Sequence, residues 1–175
     1  METAVKTIWN VDAAHSEVTF KVKHMMISTV TGHFDEFTAT AETDGDDFTN
    51  ATISFSAKTA SVNTKVKDRD NHLRSADFFN ASEYPELTFV GKSFDGNTLV
   101  GDLTIRDVTK EITLDVDSSA VAVDPYGQTK VGFEIEGAIN RKDFNLTWNA
   151  VTEAGSVVVA EKVRLIVSVQ FIKAA

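Results

Sequence analysis

Apolar and polar residues alternate along most of this chain of 175 residues. In the segment Val18-Thr19-Phe20-Lys21-Val22-Lys23, every second residue is apolar, and His24 and Met26 continue the apolar parity. A period of two is typical of a β-strand with one buried face and one solvated face. The pattern recurs in successive segments along the chain, and we therefore predict about eight or nine antiparallel strands.

Short turn sequences separate these segments. Asp95-Gly96-Asn97 predicts a hairpin, because Gly and Asn tolerate positive φ. Residues 106–109 predict another tight turn, and Asp124-Pro125-Tyr126-Gly127 fits a type I turn with proline at its second position. The apolar parity changes after Phe34, which predicts a β-bulge near Asp35 or Glu36.

We predict an all-β fold: an elongated, closed, antiparallel β-barrel of about eight strands. Closing a meandering sheet removes its two unpaired edges, and a barrel of about eight strands can hold one small ligand or be filled by side chains. The last strand, predicted over Ser156–Ile172, would extend on the order of 50 Å if unbroken, which favours a long and narrow barrel. A β-sandwich is the main alternative.

One segment departs from the strand pattern. We predict a short helical segment near residues 65–80, where charged residues and a histidine precede Phe78-Phe79. Such a segment could cover one end of the barrel. If it is helical, Asp68 and His72 lie at i and i+4, as do Asp70 and Arg74.

Two interpretations of this segment stay open. In the first, its ion pairs fix it onto the barrel. In the second, Arg69, His72 or Arg74 contacts an anionic or phenolic headgroup at the barrel mouth, because a guanidinium binds phosphate or carboxylate through paired donors. Phe78 and Phe79 would then line the entrance.

The composition limits the classes of function. A chain of 175 residues with 42% hydrophobic residues fits a single domain, here residues 1–175. The net charge of −9 argues against binding to nucleic acid and against docking on anionic lipid headgroups. No run approaches the roughly 18 apolar residues needed to span a bilayer, so we predict no membrane insertion.

The N-terminal residues do not look like a signal peptide. We therefore predict a cytoplasmic location, or a periplasmic one if a leader has been removed.

No catalytic or metal-binding motif is present in the sequence. The absence of cysteine excludes a thiolate zinc site and a cysteine nucleophile. His15, His24 and His33 lie nine residues apart, without the spacing of metal ligands. The sequence contains no Gly-x-Ser-x-Gly turn, the motif that would indicate a serine hydrolase. Arg141 precedes Asp143 at a predicted strand junction, and we expect it to form a structural salt bridge.

Four segments resemble the YceI-like family of polyisoprenoid-binding proteins. They are Trp9–Ser16, Asp68–Phe79, Gly101–Lys110 and Ile139–Phe144, and they occur in the family's order. The resemblance implies an elongated, lipocalin-like barrel, often a homodimer, that holds a polyprenyl or other long-chain amphiphile. Asn145 and Asp107 stand where glycine is common in the family. Both positions lie at predicted turns, so these differences bear on the local shape of the turns more than on the fold.

A polyprenyl chain needs a dry apolar tunnel, and each buried CH₂ contributes about 0.8 kcal/mol to binding. Twelve phenylalanines could supply its lining, although apolar residues inside a barrel can also simply fill a core. The residues predicted to contact the ligand are Phe20, Val22, His24, Phe34, Phe55, Arg69, His72, Leu73, Phe78, Phe79, Phe89, Leu103, Ile105, Leu114, Phe133, Ile135, Phe144 and Trp148.

The main functional hypothesis is the binding, storage or transport of a long-chain isoprenoid lipid, of polyprenyl or quinone type, without catalysis. It requires no cofactor other than the bound lipid. One alternative is a lipid-modifying enzyme that uses His72 with Asp68 or Asp70 as acid and base at the barrel mouth. Another is a filled barrel that serves as a dimeric interaction module.

Overall fold

The computed structural model describes residues 6–25, 27–149 and 159–174. Most of this part of the chain is strand. The strands are β1 (Lys6–Val11), β2 (Glu17–His24), β3 (Ser28–Phe34), β4 (Phe37–Asp44), β5 (Asp47–Lys58), β6 (Val62–Asn63), β7 (Glu86–Phe94), β8 (Thr98–Ile105), β9 (Val108–Ser118), β10 (Ala122–Val123), β11 (Thr129–Asn140) and β12 (Val159–Lys173). One α-helix, α1 (Lys67–Arg74), and three short 3-10 turns, Ala13–His15, Thr59–Ser61 and Arg141–Phe144, complete the described elements.

Strand β12 closes the barrel. One edge of β12 pairs with β11 from Lys162 to Ile172. The opposite edge pairs first with β2 and then, near its C-terminal end, with β1. Strands β1 and β2 therefore act as one interrupted strand, as do β3 and β4 on their other side.

The remaining main strands follow as an antiparallel meander in the order β4, β5, β7, β8, β9 and β11. The result is a closed antiparallel barrel of eight strands, as predicted. Among the described residues, α1 lies between β6 and β7, within the predicted helical segment.

The strand interruptions have local hydrogen-bonding causes. Between β1 and β2, the Ser16 hydroxyl donates to the Asp12 carbonyl and accepts from the Gln170 amide. Between β3 and β4, the Asp35 amide donates to the Ser61 carbonyl instead of continuing a ladder. This second interruption falls where the apolar parity changes in the sequence.

Several turns also form where the sequence predicts them. The hairpin between β7 and β8 places Gly96 at φ +100°, and a carboxylate oxygen of Asp95 accepts hydrogen bonds from the Asn97 and Thr98 amides. These backbone donors lower the pKa of Asp95 below its ordinary value of 3.8. In the predicted type I turn, the Gly127 amide donates to the Asp124 carbonyl at 3.0 Å.

Two predicted details differ from the structure or fall outside it. Residues 144–148 alternate like a strand in the sequence. In the structure, however, Phe144 ends a 3-10 turn and the chain then runs without a ladder to Asn149. The predicted start of the last strand at Ser156 lies outside the described residues, and so does Met26. Within those residues, β12 begins at Val159.

None of the helices formed by the described residues combines the length and apolar character needed to cross a membrane.

Candidate functional site: a cavity inside the barrel

The barrel encloses a cavity of 530 Å³, within the range of about 300–1,000 Å³ that is typical of small-molecule sites. Its wall is formed almost entirely by apolar side chains. Phe20 and Val22 point inward and remain only partly buried, which agrees with their position on the cavity wall. The barrel is therefore hollow, and a barrel filled by its own side chains is excluded.

The cavity follows the strands for much of their length. The inward residues of β12 between its bulge and its end are Val163, Leu165, Val167, Val169 and Phe171. At ~3.4 Å per residue, this row covers about 27 Å along the strand. The cavity is thus long enough to suit an extended chain.

One end of the barrel is closed by aromatic rings. We call Trp9, Phe48, Phe94, Phe133 and Phe171 the aromatic end. The ring of Phe133 lies with its edge toward Phe48 at 5.1 Å and toward Phe171 at 5.9 Å. Trp9 is fully buried behind Phe48, at 4.9 Å, and its indole nitrogen donates to the Thr43 hydroxyl. Ring edges pack favourably against ring faces, so this end is firmly held.

The other end carries the polar groups that line the cavity. We call Lys23, His24, Asp68, Arg69, His72, Arg141 and Trp148 the polar end. Helix α1 supplies Asp68, Arg69 and His72, and β2 supplies Lys23 and His24. Lys23 and Asp68 are exposed, and among the described residues their side chains have no hydrogen-bond or ion-pair partner. The described part of this end contains three Lys or Arg cations and one carboxylate.

His72 joins the helix to the aromatic residues at the polar end. Its Nε2 lies 2.9 Å from a carboxylate oxygen of Asp77. The imidazole ring meets Trp148 edge-on at 4.6 Å and Phe78 at 5.1 Å. Arg106 donates to the Phe78 carbonyl at 3.4 Å and so holds the chain after α1 against the β8–β9 turn.

The predicted i, i+4 ion pairs of the helix do not form. Asp70 is buried and accepts hydrogen bonds from both the amide and the hydroxyl of Thr64. Arg74 instead donates to the carbonyls of Ala60 and Val62, and it does not line the cavity. His72 pairs with Asp77 and not with Asp68 or Asp70. The acid–base pair of the enzymatic alternative is therefore not assembled as predicted.

Arg69 lines the cavity, and part of its guanidinium is held by Thr64. Its Nε donates to the Thr64 hydroxyl and one terminal nitrogen donates to the Thr64 carbonyl, both at 2.8 Å. Among the described residues, the other terminal nitrogen has no partner, so it can donate to a group at the polar end.

Arg141 forms a carbonyl cage and not the salt bridge predicted for it. Arg141 is 3% exposed, and its guanidinium donates to the carbonyls of Leu146, Trp148, Val159 and Ala160. Burial lowers the pKa of the Arg141 guanidinium, and the charge of Glu161 partly opposes this effect. The cage ties the chain after β11 to the start of β12.

With one exception, the residues predicted to contact a ligand line the cavity. The exception is Phe144, which lies on the 3-10 turn and is buried in the core at 1% exposure. Their contact with a ligand stays a prediction. Further lining residues were not predicted, among them Val18, Phe48, Ile53, Phe94, Leu99 and Val167. For Val18, Ile53, Leu99 and Val167, inward parity in the alternating pattern is the signal that could have found them. Phe48 and Phe94 lie at the other parity of β5 and β7, and in β7 a register shift between Gly91 and Ser93 precedes Phe94.

No metal site emerges from residues 6–25, 27–149 and 159–174, which contain no group of three or more His, Cys, Asp or Glu side chains placed to hold an ion.

Comparison with known proteins places this barrel in a family. A sequence profile described as the YceI-like domain matches residues 9–171. The chain belongs to the YceI-like family. A UPF0312 protein of Staphylococcus aureus is 39% identical over 166 residues, which cover 94% of this chain and 97% of the relative.

Solved structures of similar proteins share the fold. A YceI protein of Campylobacter jejuni is 33% identical, with a TM-score of 0.73 and coverage of 100% of this chain and 99% of that one. Burkholderia cenocepacia BcnA is 24% identical, with a TM-score of 0.77 and coverage of 91% and 98%. A polyisoprenoid binding domain from Saccharophagus degradans is 15% identical, with a TM-score of 0.72 and coverage of 95% and 98%.

Two departures from the usual YceI-like sequence now have a structural setting. Asn145, where glycine is common, takes φ +60° in the left-handed region, which asparagine tolerates better than most residues. In the β8–β9 turn the left-handed residue is Arg106, at φ +56°, and not Asp107. Only the first departure therefore replaces glycine at a position whose backbone favours it.

Proposed function

We propose that this protein binds a single long-chain isoprenoid lipid, of polyprenyl or quinone type, inside the barrel and stores or carries it without chemical change. The observation that supports this most strongly is a long apolar cavity, closed by rings at one end and carrying polar groups at the other. An amphiphile with one long tail matches that distribution.

The lipid would bind with its tail toward the aromatic end. Each CH₂ transferred from water to the wall contributes about 0.8 kcal/mol, so affinity grows with the length of tail buried. The headgroup would lie at the polar end, where Lys23 and the free terminal nitrogen of Arg69 can donate to phosphate, carboxylate or carbonyl oxygen. The opposite orientation would bury a polar headgroup among aromatic rings without partners.

The family relationship supports the choice of ligand class. The Saccharophagus degradans protein with this fold is described as a polyisoprenoid binding domain. At 15% identity this likeness concerns the fold, and the ligand class reaches the present chain as part of the proposal.

A binding role agrees better with the site than an enzymatic one. The enzymatic alternative requires His72 to pair with Asp68 or Asp70 as acid and base. Asp70 is held by Thr64, while His72 is held by Asp77 and packs between two aromatic rings. The homodimer and the cellular compartment stay predictions.

Native mass spectrometry of protein purified without delipidation, followed by identification of the extracted lipid, tests the proposal. We expect one apolar lipid per barrel. Leu165→Trp, which places an indole in the middle of the cavity, should abolish retention of the lipid. The control Arg164→Trp places the same ring on the exposed outer face of β12 and should retain it. Circular dichroism verifies that both variants fold.

Equal retention of lipid by Leu165→Trp and Arg164→Trp would place the lipid outside the barrel and contradict the proposal. Failure of the unaltered protein to retain or take up any long-chain lipid would contradict it as well.

A further inference from the structure

Four glycines lie on the inner wall of the barrel: Gly32, Gly91, Gly101 and Gly137. Each shares the parity of cavity-lining neighbours on its own strand. Gly32 lies between Val30 and Phe34 on β3, and Gly137 lies between Ile135 and Ile139 on β11. Their missing side chains therefore leave room on the cavity side of the wall.

Lining side chains from neighbouring strands occupy this room. A Cβ added at Gly32 would lie 2.3 Å from the ring of Phe20, and all three of its nearest atoms belong to that ring. A Cβ at Gly137 would lie 2.4 Å from a methyl carbon of Leu114. Real Cβ atoms essentially never approach other atoms closer than 3.0 Å, so the Phe20 ring and a Leu114 methyl group each occupy space that a Cβ would fill.

Gly101 shows the same arrangement, since a Cβ there would lie 2.4 Å from the ring of Phe89. Gly91 differs, because the nearest atom to an added Cβ would be the Cβ of Ile53 at 3.1 Å, a close but not an excluded approach. Glycine inside a strand weakens it and often marks a close approach of another group. A barrel stabilised only by a filled core would not need the three positions Gly32, Gly101 and Gly137. Here they let large side chains lie along the wall and keep the lumen wide.

The width of the lumen matters for the kind of chain that fits. An isoprenoid chain carries a methyl branch in every repeating unit, so its cross-section exceeds that of a straight alkyl chain. An added Cβ at Gly32 would displace the Phe20 ring by about 1 Å to reach ordinary contact, and a displacement away from the wall narrows the lumen.

We propose that these inward glycines determine the chain specificity of the cavity, selecting a methyl-branched, isoprenoid-type chain over a straight one. This inference rests on the proposed function and extends it to named residues. Replacing one of these glycines by alanine should narrow the lumen. The binding of the branched chain should then weaken more than the binding of the straight chain.

Gly32→Ala and Gly137→Ala are the best probes, because the atoms that a Cβ would meet first belong to side chains that can move. Gly101→Ala is unsuitable, since its Cβ would also lie 2.5 Å from the Val90 carbonyl oxygen. Gly132→Ala is a matched control on β11: it has the opposite parity, and its Cβ would meet nothing closer than 3.6 Å.

The measurement is the ratio of dissociation constants for two alcohols with equal carbon number, geranylgeraniol and its straight-chain counterpart. We expect the unaltered protein and Gly132→Ala to prefer geranylgeraniol. In Gly32→Ala the preference should fall about ten-fold or more, in keeping with the effect of a methyl-sized misfit in an apolar pocket. Gly137→Ala should change the ratio in the same direction.

A second substitution tests the cause. In the double variant Gly32→Ala with Phe20→Leu, the displaced ring is replaced by a smaller side chain, and the preference for geranylgeraniol should return. An unchanged ratio in Gly32→Ala, or no recovery in the double variant, would overturn the inference while leaving lipid binding intact. If the unaltered protein bound neither alcohol, the proposed function itself would fail.

Discussion

The two ends of the barrel are built from different interactions. At the aromatic end, Phe133 contacts Phe48, Phe94 and Phe171 through ring edges, and Trp9 is fully buried behind them. At the polar end, hydrogen bonds dominate: Arg141 donates to four carbonyls and Arg69 is held by Thr64. One end is closed by packing, whereas the other is organised by donors and acceptors.

Because of this difference, the two ends of the cavity suit different parts of an amphiphilic ligand. A side chain that packs through its rings offers no partner to a polar headgroup, whereas a partly used guanidinium or an unpaired lysine does. The same difference predicts how each end responds to substitution. Loss of a donor at the polar end leaves buried carbonyls without partners, and loss of a ring at the aromatic end leaves a larger void.

The largest effect on stability is expected from Arg141→Met. It removes the buried donors of the four carbonyls and should lower the free energy of unfolding by about 3–5 kcal/mol. Urea denaturation measures this, with the exposed Arg164→Met as control, expected to change stability by less than about 0.5 kcal/mol. Similar small effects of the two substitutions would show that the carbonyl cage does not organise the polar end.

Phe133→Ala should have the next largest effect. Removal of a nearly buried ring costs about 3–5 kcal/mol in a packed core, and we expect about 3 kcal/mol because one side of Phe133 already faces the cavity. Trp148→Ala removes a larger but only partly buried side chain and should cost less. If the Trp148 substitution cost more in the same urea denaturation experiment, the assignment of packing to the aromatic end would be wrong.

Asp12 is expected to give a pH-dependent contribution. Its hydrogen bond to His15 is the main cause that lowers the pKa of Asp12 below 3.8, and Lys130 at the start of β11 adds to it. A lowered folded-state pKa contributes stability above pH 3.8 that is lost as the pH falls through the folded-state value.

Asp12→Asn should therefore be less stable than the unaltered protein at neutral pH, and the two should converge as the pH falls below 3.8. Free energies of unfolding measured across a pH series check this. A difference that stayed constant into acid would contradict a contribution from the charge of Asp12, because asparagine keeps the cap on the 3-10 turn.

The smallest effects concern Asn145, beside the carbonyl cage. Its φ of +60° disfavours a Cβ-bearing residue, so Asn145→Ala should lower the free energy of unfolding by about 1 kcal/mol. Asn145→Gly should change it by less than about 0.5 kcal/mol, because relief of the backbone is offset by a more flexible unfolded chain. Equal stability of the two variants in thermal and urea unfolding would contradict this explanation.

The sequence predicts the fold well because the responsible signals are local. The alternation of Val18, Phe20 and Val22 identifies the inward face of β2, and Asp95-Gly96-Asn97 encodes a hairpin by the φ angles that its residues tolerate. Local patterns also indicate the apolar wall residues. The family resemblance added the expectation that the barrel holds a long-chain ligand.

The polar contacts were harder to predict, since their partners lie far apart in sequence or are backbone groups. Arg141 reaches the carbonyls of Val159 and Ala160, which carry no signal in the side-chain pattern. Asp70 accepts hydrogen bonds from the amide and hydroxyl of Thr64 and does not pair with Arg74, the partner that the helical spacing predicts. The 3-10 turn that buries Phe144 also interrupts an alternation that looks like a strand.

The two tryptophans of the chain allow a direct test of the central claim, because Trp9 lies at the aromatic end and Trp148 at the polar end. Fluorescence quenching by a polyprenyl lipid brominated at the tip of its tail is measured in Trp148→Phe and Trp9→Phe, which each retain a single tryptophan. We predict strong quenching of Trp9 and weak quenching of Trp148, with the reverse for a lipid brominated next to its headgroup. Binding of the tail-labelled lipid without quenching of Trp9 would contradict the claim that the chain lies inside the barrel with its tail at the aromatic end.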